Sequence, residues 1–164
     1  LPDTEGKIVS LDTFKAAPAL LVMFICNHCP YVKAIIHKIA KDTEELKQYG
    51  INSIAIMAND PIEYEEDSYP NMRKFAKEYN LQFPYVIDGN QKTARNYGAV
   101  CTPDFFGYNA NLEEQYRGRL DDSGIVNNPN ASRELFSAML QIAETGKGPD
   151  IQHPSIGCSI KWKK

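Results

Sequence analysis

The chain has 164 residues, of which 43% are apolar, and this is enough for one compact domain with its own core. Its formal net charge is −3, and the lysines and arginines are scattered among acidic residues, so we expect no nucleic-acid partner. The longest apolar run, residues 18–26, is far shorter than the roughly 20 residues that a membrane-spanning helix needs. We therefore expect a soluble domain without a membrane span.

The first half of the chain alternates between predicted strands and helices. The run PALLVMFIC, residues 18–26, is typical of a strand buried on both faces. Apolar residues then recur at helical spacing over 32–46, which predicts a helix. Residues 51–58 predict a second buried strand, and the apolar face within 72–79 predicts a second helix.

The second half predicts a hairpin and a closing helix. Residues 84–88 predict a short strand and residues 91–98 a short helix. Residues 103–111 and 112–120 predict two strands joined as a hairpin, and apolar spacing over 135–143 predicts the last helix. This order predicts a layered α/β domain with a mixed central sheet and helices on both faces.

Residues 147–164 predict an irregular C-terminal tail. Ile156, Ile160 and Trp162 would avoid water by packing back onto the domain. We therefore expect residues 1–164 to form a single domain with this tail packed on it.

The motif CNHCP, residues 26–30, lies where the first strand leads into the first helix. A thiolate at a helix N-terminus is stabilised by the helix dipole, so we expect Cys26 there with a lowered pKa. Cys29 can reach Cys26 across one turn and form a redox-active disulfide. Pro30 fits the first helical turn, and His28 adds a titratable cation that favours the thiolate.

Metal binding is an alternative for the same motif. Zinc commonly uses Cys-x-x-Cys as half of a four-ligand set, but Cys101 and Cys158 are single cysteines far apart in sequence. A module in which Cys26 and Cys29 hold copper or zinc with help from His28 is thus the less favoured hypothesis. We expect no metal and no cofactor other than the redox-active disulfide.

Five segments together resemble a known family. They are GKIVSL at 6–11, CNHCP at 26–30, AVCTPDFF at 99–106, YRG at 116–118 and GCSIKW at 157–162. In combination they resemble the thioredoxin-like redoxins, also described as peroxiredoxin-like proteins of the alkyl hydroperoxide reductase/thiol-specific antioxidant type.

The resemblance implies a thioredoxin-like fold and assigns functions to individual residues. Cys26 would be the exposed nucleophile and Cys29 the buried resolving thiol. Thr102 and Pro103 would form a cis-proline loop that binds substrate by presenting the backbone of Thr102 to an incoming peptide.

Three positions depart from the family patterns. Thioredoxins usually have tryptophan before the first cysteine and a buried acid earlier on that strand, where this chain has Ile25 and Leu20. The usual proton acceptor for Cys29 is therefore missing. Peroxiredoxins have threonine or serine three residues before the peroxidatic cysteine, and Met23 stands there, which disfavours peroxidase activity.

The two remaining cysteines are candidate auxiliary thiols. Cys101 lies two residues before Pro103, and Cys158 lies in the tail. If the tail folds over the cis-proline loop, Cys101 and Cys158 could form a second disulfide. The alternative is two small buried residues that never meet, which is common for lone cysteines.

The leading hypothesis is a thiol–disulfide oxidoreductase. The thiolate of Cys26 would attack a disulfide in a protein or small-molecule partner, and Cys29 would resolve the mixed disulfide. The alternative is a thiol peroxidase in which Cys26 attacks a hydroperoxide and Cys29 resolves the sulfenic acid. We expect a cytoplasmic location, although an exported form stays open because the chain starts at Leu1 without a methionine.

Overall fold

The computed structural model describes residues 1–14, 16–124, 126 and 128–164. Its centre is a five-stranded sheet of β1 (Ala19–Phe24), β2 (Asn52–Met57), β3 (Tyr85–Ile87), β5 (Asp104–Asn109) and β6 (Glu114–Gly118). The strand order in this sheet is β3-β2-β1-β5-β6. Two further strands, β4 (Cys101–Thr102) and β7 (Cys158–Ser159), form a separate two-stranded ribbon.

Strand β1 holds the middle of the sheet because all six of its residues are apolar and buried. It pairs in parallel with β2 and antiparallel with β5, and Phe24 lies opposite Asp104. Strand β3 adds in parallel to β2, and β6 adds antiparallel to β5 as the second half of the predicted hairpin. The sheet is therefore mixed, which confirms the predicted α/β class.

Helices cover both faces of this sheet. They are α1 (Pro30–Lys33), α2 (Ile36–Lys47), α3 (Tyr69–Glu78), α4 (Lys92–Tyr97) and α5 (Glu134–Thr145). Helices α2, α3 and α5 share one apolar cluster with alternate residues of β1, and α4 packs in the cluster on the opposite face. None of the helices in the described ranges has the length and apolar character needed to cross a bilayer.

The helix predicted over 32–46 is in fact two helices. Helix α1 ends at Lys33, and Ile35 leaves the helical region with φ −122° before α2 begins. The N–H of Ile35 bonds to the carbonyl of Val32, three residues back, and this tight turn separates the two helices. Helix α1 is consequently a single turn held against the cysteine motif.

The C-terminal tail is attached to the domain by the β4–β7 ribbon. Cys101 pairs with Ser159 and Thr102 with Cys158 in an antiparallel register. Ile160, the next residue, is 3% exposed and lies in the same apolar cluster as α4. The prediction of an irregular tail missed this short strand, although the rest of 147–164 is irregular, with a single bend at Asp150.

Candidate active site

The two cysteines of the motif lie between β1 and α1. Cys26 is two residues beyond the end of β1, in the loop, and Cys29 is the N-cap residue of α1. Pro30 is the first residue of α1, where the missing N–H costs no helical hydrogen bond. The expectation that Cys26 occupies the helix N-terminus is therefore wrong, because the helix begins after the second cysteine.

Both thiols are buried, Cys26 with 1% and Cys29 with 0% of its surface exposed. The Sγ of Cys26 lies 3.5 Å from Oγ1 of Thr102, and the Cys29 thiol donates to the carbonyl oxygen of Thr102 at 3.3 Å. Thr102 therefore contacts both sulfur atoms. The expectation that Cys26 is exposed is wrong in this structure, because the loop that carries Thr102 covers it.

The peptide bond between Thr102 and Pro103 is cis. Thr102 does not face solvent with a free backbone edge, because it pairs with Cys158 of the tail. Ser155 donates to the carbonyl of Pro103, and a methyl group at Gly157 would overlap the carbonyl of Thr102. The backbone that the resemblance assigned to an incoming peptide thus carries a segment of the chain itself.

A buried carboxylate that the sequence analysis did not identify lies beside the motif. Asp67, in the 3-10 turn Glu65–Asp67, is 0% exposed. Its Oδ1 accepts the backbone N–H of Asn27 at 2.7 Å, and its Oδ2 lies 2.9 Å from Nδ2 of Asn59. The same Oδ2 lies 2.6 Å from Nδ1 of His28. Asp67 therefore fixes the loop between the two cysteines and pairs with its histidine.

Side chains from two other segments complete this support. The hydroxyl of Tyr85 donates to Oδ1 of Asn27 at 2.9 Å, and Nδ2 of Asn27 donates to the carbonyl of Glu66 at 3.0 Å. The ring of His28 stacks on Tyr64 with 6.0 Å between centroids. Burial, together with the charges of Cys26 and Asp67, raises the pKa of Tyr85 well above its ordinary value, so its hydroxyl stays protonated as a donor.

The contacts of the two thiols shift their pKa values in opposite directions. The hydrogen bond from Cys26 lowers the pKa of Cys29, and donors from Cys158, Thr102 and the N–H of Val32 lower it further against the effect of burial. The same hydrogen bond to Cys29 raises the pKa of Cys26, and burial and the charge of Asp67 raise it further. The expected lowered pKa of Cys26 is therefore wrong, since the hydrogen bond to Cys29, burial and the charge of Asp67 all raise it.

The two auxiliary thiols lie on opposite faces of the ribbon. Residues that pair across strands project to one face and sequence neighbours to opposite faces. Cys158 therefore shares the face of Thr102, towards the cysteine pair, whereas Cys101 shares the other face with Ser159. The Cys101 thiol donates to the carbonyl of Pro103 at 3.7 Å, and burial raises its pKa to about 11. All four cysteines are free thiols in this structure.

A metal ion is the alternative occupant of this site. Cys26, His28 and Asp67 offer ligand atoms that all lie within 4.8 Å of one another. However, two ligands bound to one zinc at about 2.0–2.1 Å in tetrahedral geometry stand roughly 3.3 Å apart. The 2.6 Å between Nδ1 of His28 and Oδ2 of Asp67 is well below this separation, so the two atoms contact each other directly and are not spaced as two ligands of one zinc ion.

Residues 1–126 match the sequence profile of the AhpC/TSA family. The chain is a member of the AhpC/TSA family. It is 26% identical to a chloroplastic peroxiredoxin Q of Populus jackii over 77% of this chain and 53% of that protein. It is also 27% identical to the thiol-disulfide oxidoreductase ResA of Bacillus thuringiensis subsp. konkukian, over 63% of this chain and 56% of that protein. The chain spans about half the length of these relatives.

Solved structures match this AhpC/TSA protein along nearly its whole length. A hypothetical protein from Sinorhizobium meliloti 1021 superposes with a TM-score of 0.95 at 37% identity, covering 99% of this chain and 90% of that one. An uncharacterized conserved protein from Geobacillus kaustophilus gives a TM-score of 0.92 at 41% identity, over 99% and 87%. A putative thioredoxin from Neisseria meningitidis gives a TM-score of 0.64 at 23% identity, over 88% and 84%. The predicted family and the predicted thioredoxin-like fold are confirmed.

Proposed function

We propose that this AhpC/TSA protein is a thiol–disulfide oxidoreductase whose redox centre is the Cys26/Cys29 pair. The observation that carries the proposal is the contact of both sulfur atoms with Thr102, in a buried site at the end of β1. A dithiol held in this way can close to a disulfide and reopen without rearrangement of the sheet. The similarity to ResA, which is described as a thiol-disulfide oxidoreductase, supports it.

The stabilised thiolate sets the direction of the proposed reaction. A thiolate on Cys29 with a lowered pKa stabilises the reduced state relative to the disulfide. A cysteine of low pKa is also the better leaving group in thiol–disulfide exchange. We therefore propose that the pair oxidises thiols of proteins or small molecules, with no cofactor beyond its own disulfide and in the cytoplasm.

A cavity of about 250 Å³ beside the cis-proline loop can receive the apolar part of a substrate. Pro103, Phe105 and Leu120 line one part of it, and Tyr31 and Ile35 line another. Arg119 and Asp121 supply polar groups at the same cavity. An apolar cleft with a few polar groups is the common form of a small-molecule site.

Redox titration of the reduced and oxidised protein tests the proposal. Equilibration with glutathione buffers should give a two-electron couple that belongs to the peptide containing both Cys26 and Cys29. Cys29→Ser should abolish the couple, and a reduced model dithiol should be oxidised at the expense of the disulfide. The absence of a disulfide between these cysteines after mild oxidation would refute the proposal. Metal analysis after anaerobic purification tests the metal-binding alternative on the same sample.

A thiol peroxidase is the second candidate, and one contact favours it. The hydroxyl of Thr102 lies 3.5 Å from Sγ of Cys26, so the site has a hydroxyl beside this sulfur although Met23 supplies none. The family match and the similarity to peroxiredoxin Q point the same way. If Cys26 attacks peroxide, Thr102→Val should lower peroxide consumption and the matched Thr102→Ser should retain it. Equal rates in the two variants would contradict the peroxidase function.

A further inference from the structure

Three thiols, and not two, meet at the redox centre. The register of the ribbon sets Cys158 directly opposite Thr102, on the face of Thr102 that contacts Cys26. Thr102 contacts the sulfur atoms of both Cys26 and Cys29. Cys158 also packs against the apolar cluster that contains these two cysteines, so it is the third cysteine beside Thr102.

Cys158 also has a property that the other two lack. Cys26 and Cys29 are buried, whereas Cys158 is partly exposed. A substrate thiol that approaches from solvent can therefore reach the sulfur of Cys158 before it reaches the motif.

The tail holds Cys158 in a fixed place. On one side, a side chain at Gly157 would overlap the carbonyl of Thr102, so the backbone approaches the loop closely only because this residue is glycine. On the other side, the N–H of Ile160 donates to the carbonyl of Val100 at 3.0 Å. The N–H of Lys161 donates to Oδ1 of Asn59 at 2.8 Å. This anchoring positions the thiol.

We propose that Cys158 is a third redox thiol that exchanges with the Cys26–Cys29 disulfide and connects it with external thiols. In the first step the Cys158 thiolate attacks Sγ of Cys29. The Cys29–Cys158 bond forms, the Cys26–Cys29 bond breaks, and Cys26 leaves as a thiolate that takes up the proton lost by Cys158. No net oxidation accompanies this step.

The second step transfers the oxidising equivalents. A substrate thiolate attacks the partly exposed sulfur of Cys158, and Cys29 leaves as the thiolate that its hydrogen bonds stabilise. A second substrate thiolate then attacks the substrate sulfur and releases Cys158. Two substrate thiols have become one disulfide, and one protein disulfide has become two thiols. This route rests on the proposed oxidoreductase function and adds the residue through which it reaches its substrate.

Tryptic mapping of unreduced protein tests the route, because the sequence separates the cysteines. Cys26 and Cys29 fall in peptide 16–33, Cys101 in peptide 96–117 and Cys158 in peptide 148–161. In Cys26→Ser, oxidation by diamide followed by acid quench and alkylation should link peptide 16–33 to peptide 148–161. This link can only be Cys29–Cys158. The matched variant Cys101→Ser should leave the link unchanged, because Cys101 lies on the other face of the ribbon.

The outcomes separate the two proposals. If wild-type protein forms the disulfide within peptide 16–33 but Cys26→Ser gives free or singly modified thiols, the route through Cys158 is refuted and the oxidoreductase function stands. A dominant link to peptide 96–117 would also refute the route. If wild-type protein forms no disulfide within peptide 16–33, the oxidoreductase function itself fails. If Cys26→Ser does not fold, Cys26→Ala serves in the same experiment. In a separate kinetic test, oxidised Cys158→Ser should oxidise a small thiol more slowly than oxidised wild-type protein does.

Discussion

Asp67 should determine which cysteine carries the proton, and Asp67→Asn tests this directly. The ligand atoms of Cys26, His28 and Asp67 lie within 4.8 Å of one another, and Asp67 is fully buried. At this separation and an effective dielectric constant of about 20, a carboxylate and a thiolate repel by roughly 3 kcal/mol. Since 1.36 kcal/mol corresponds to one unit of pKa, the pKa of Cys26 should fall by roughly 2 when the carboxylate is removed.

The measurement is cleanest in a Cys29→Ser background, where Cys26 is the thiol that remains in the motif. Thiolate absorbance in the ultraviolet, followed against pH with and without Asp67→Asn, gives the pKa of Cys26 in each protein. Asparagine keeps one carbonyl acceptor for the N–H of Asn27, so the loop retains its main anchor. Asp42→Asn is the matched control, because Asp42 is a buried carboxylate that pairs with Arg133 at 2.7 Å instead of facing a thiol.

His28 should act in the opposite direction. Nδ1 of His28 lies 2.6 Å from Oδ2 of Asp67, so its ring stands between the carboxylate and solvent charges, and we expect His28→Gln to expose Cys26 more fully to the carboxylate. In protein that keeps both Cys26 and Cys29, His28→Gln should make the disulfide more reducing and Asp67→Asn should make it more oxidising. The reduction potential should shift by about 30 mV for each ~1.4 kcal/mol. Equal pKa values of Cys26 with and without Asp67→Asn, or a fall of equal size in Asp42→Asn, would refute the electrostatic argument.

Three further predictions follow from the same geometry. First, reduced protein should retain thiolate absorbance at mildly acidic pH, and Cys29→Ser should lose it while Cys26→Ser keeps it; the reverse result would put the thiolate on Cys26. Second, Gly157→Ala should lower the free energy of unfolding by roughly 1–3 kcal/mol, because the added methyl group overlaps the backbone of Thr102. The control Gly89→Ala should leave it unchanged, since its methyl group meets no atom within 4 Å. Equal shifts of the denaturation midpoint in the two variants would contradict this. Third, burial raises the pKa of Asp104 from 3.8 to about 6, so the folded state binds the proton more tightly and loses up to about 3 kcal/mol of stability as pH rises through this interval. Asp104→Asn should remove that pH dependence, and an unchanged dependence in chemical denaturation would count against the assignment.

The strands and most helices could be predicted because each leaves a local pattern. The run that becomes β1 is uniformly apolar, and a strand buried on both faces needs this composition. The break between α1 and α2 leaves no such pattern, because apolar spacing continues through Ile35 and no proline or glycine marks it. The pairing of β4 with β7 was also missed, since two strands of two residues are too short for a periodic signal.

The site was only partly predictable, for a different reason. Only two residues separate Cys26 from Cys29 in the sequence, and this spacing is itself the signal of a redox pair. Asp67 comes from a turn far along the chain, and it follows two exposed glutamates, Glu65 and Glu66. A single sequence does not show which of three acids is buried. For the tail, the alternation of Cys158, Ile160 and Trp162 was a signal of a strand with one buried face, and it could have placed Cys158 inside the domain.

The position of the buried acid contributes to the polarity of the centre. The thioredoxin pattern puts a carboxylate earlier on the strand, at the position of Leu20, where it would take the proton of Cys29. Here the carboxylate is Asp67, which lies beside Cys26 and adds to the effects of the hydrogen bond to Cys29 and of burial in raising the pKa of Cys26. Cys29, the cysteine with the lowered pKa, is completely buried. A buried centre of this kind reaches substrate through a more accessible neighbour, and in the part of the chain that the structure describes Cys158, opposite Thr102, is in that position.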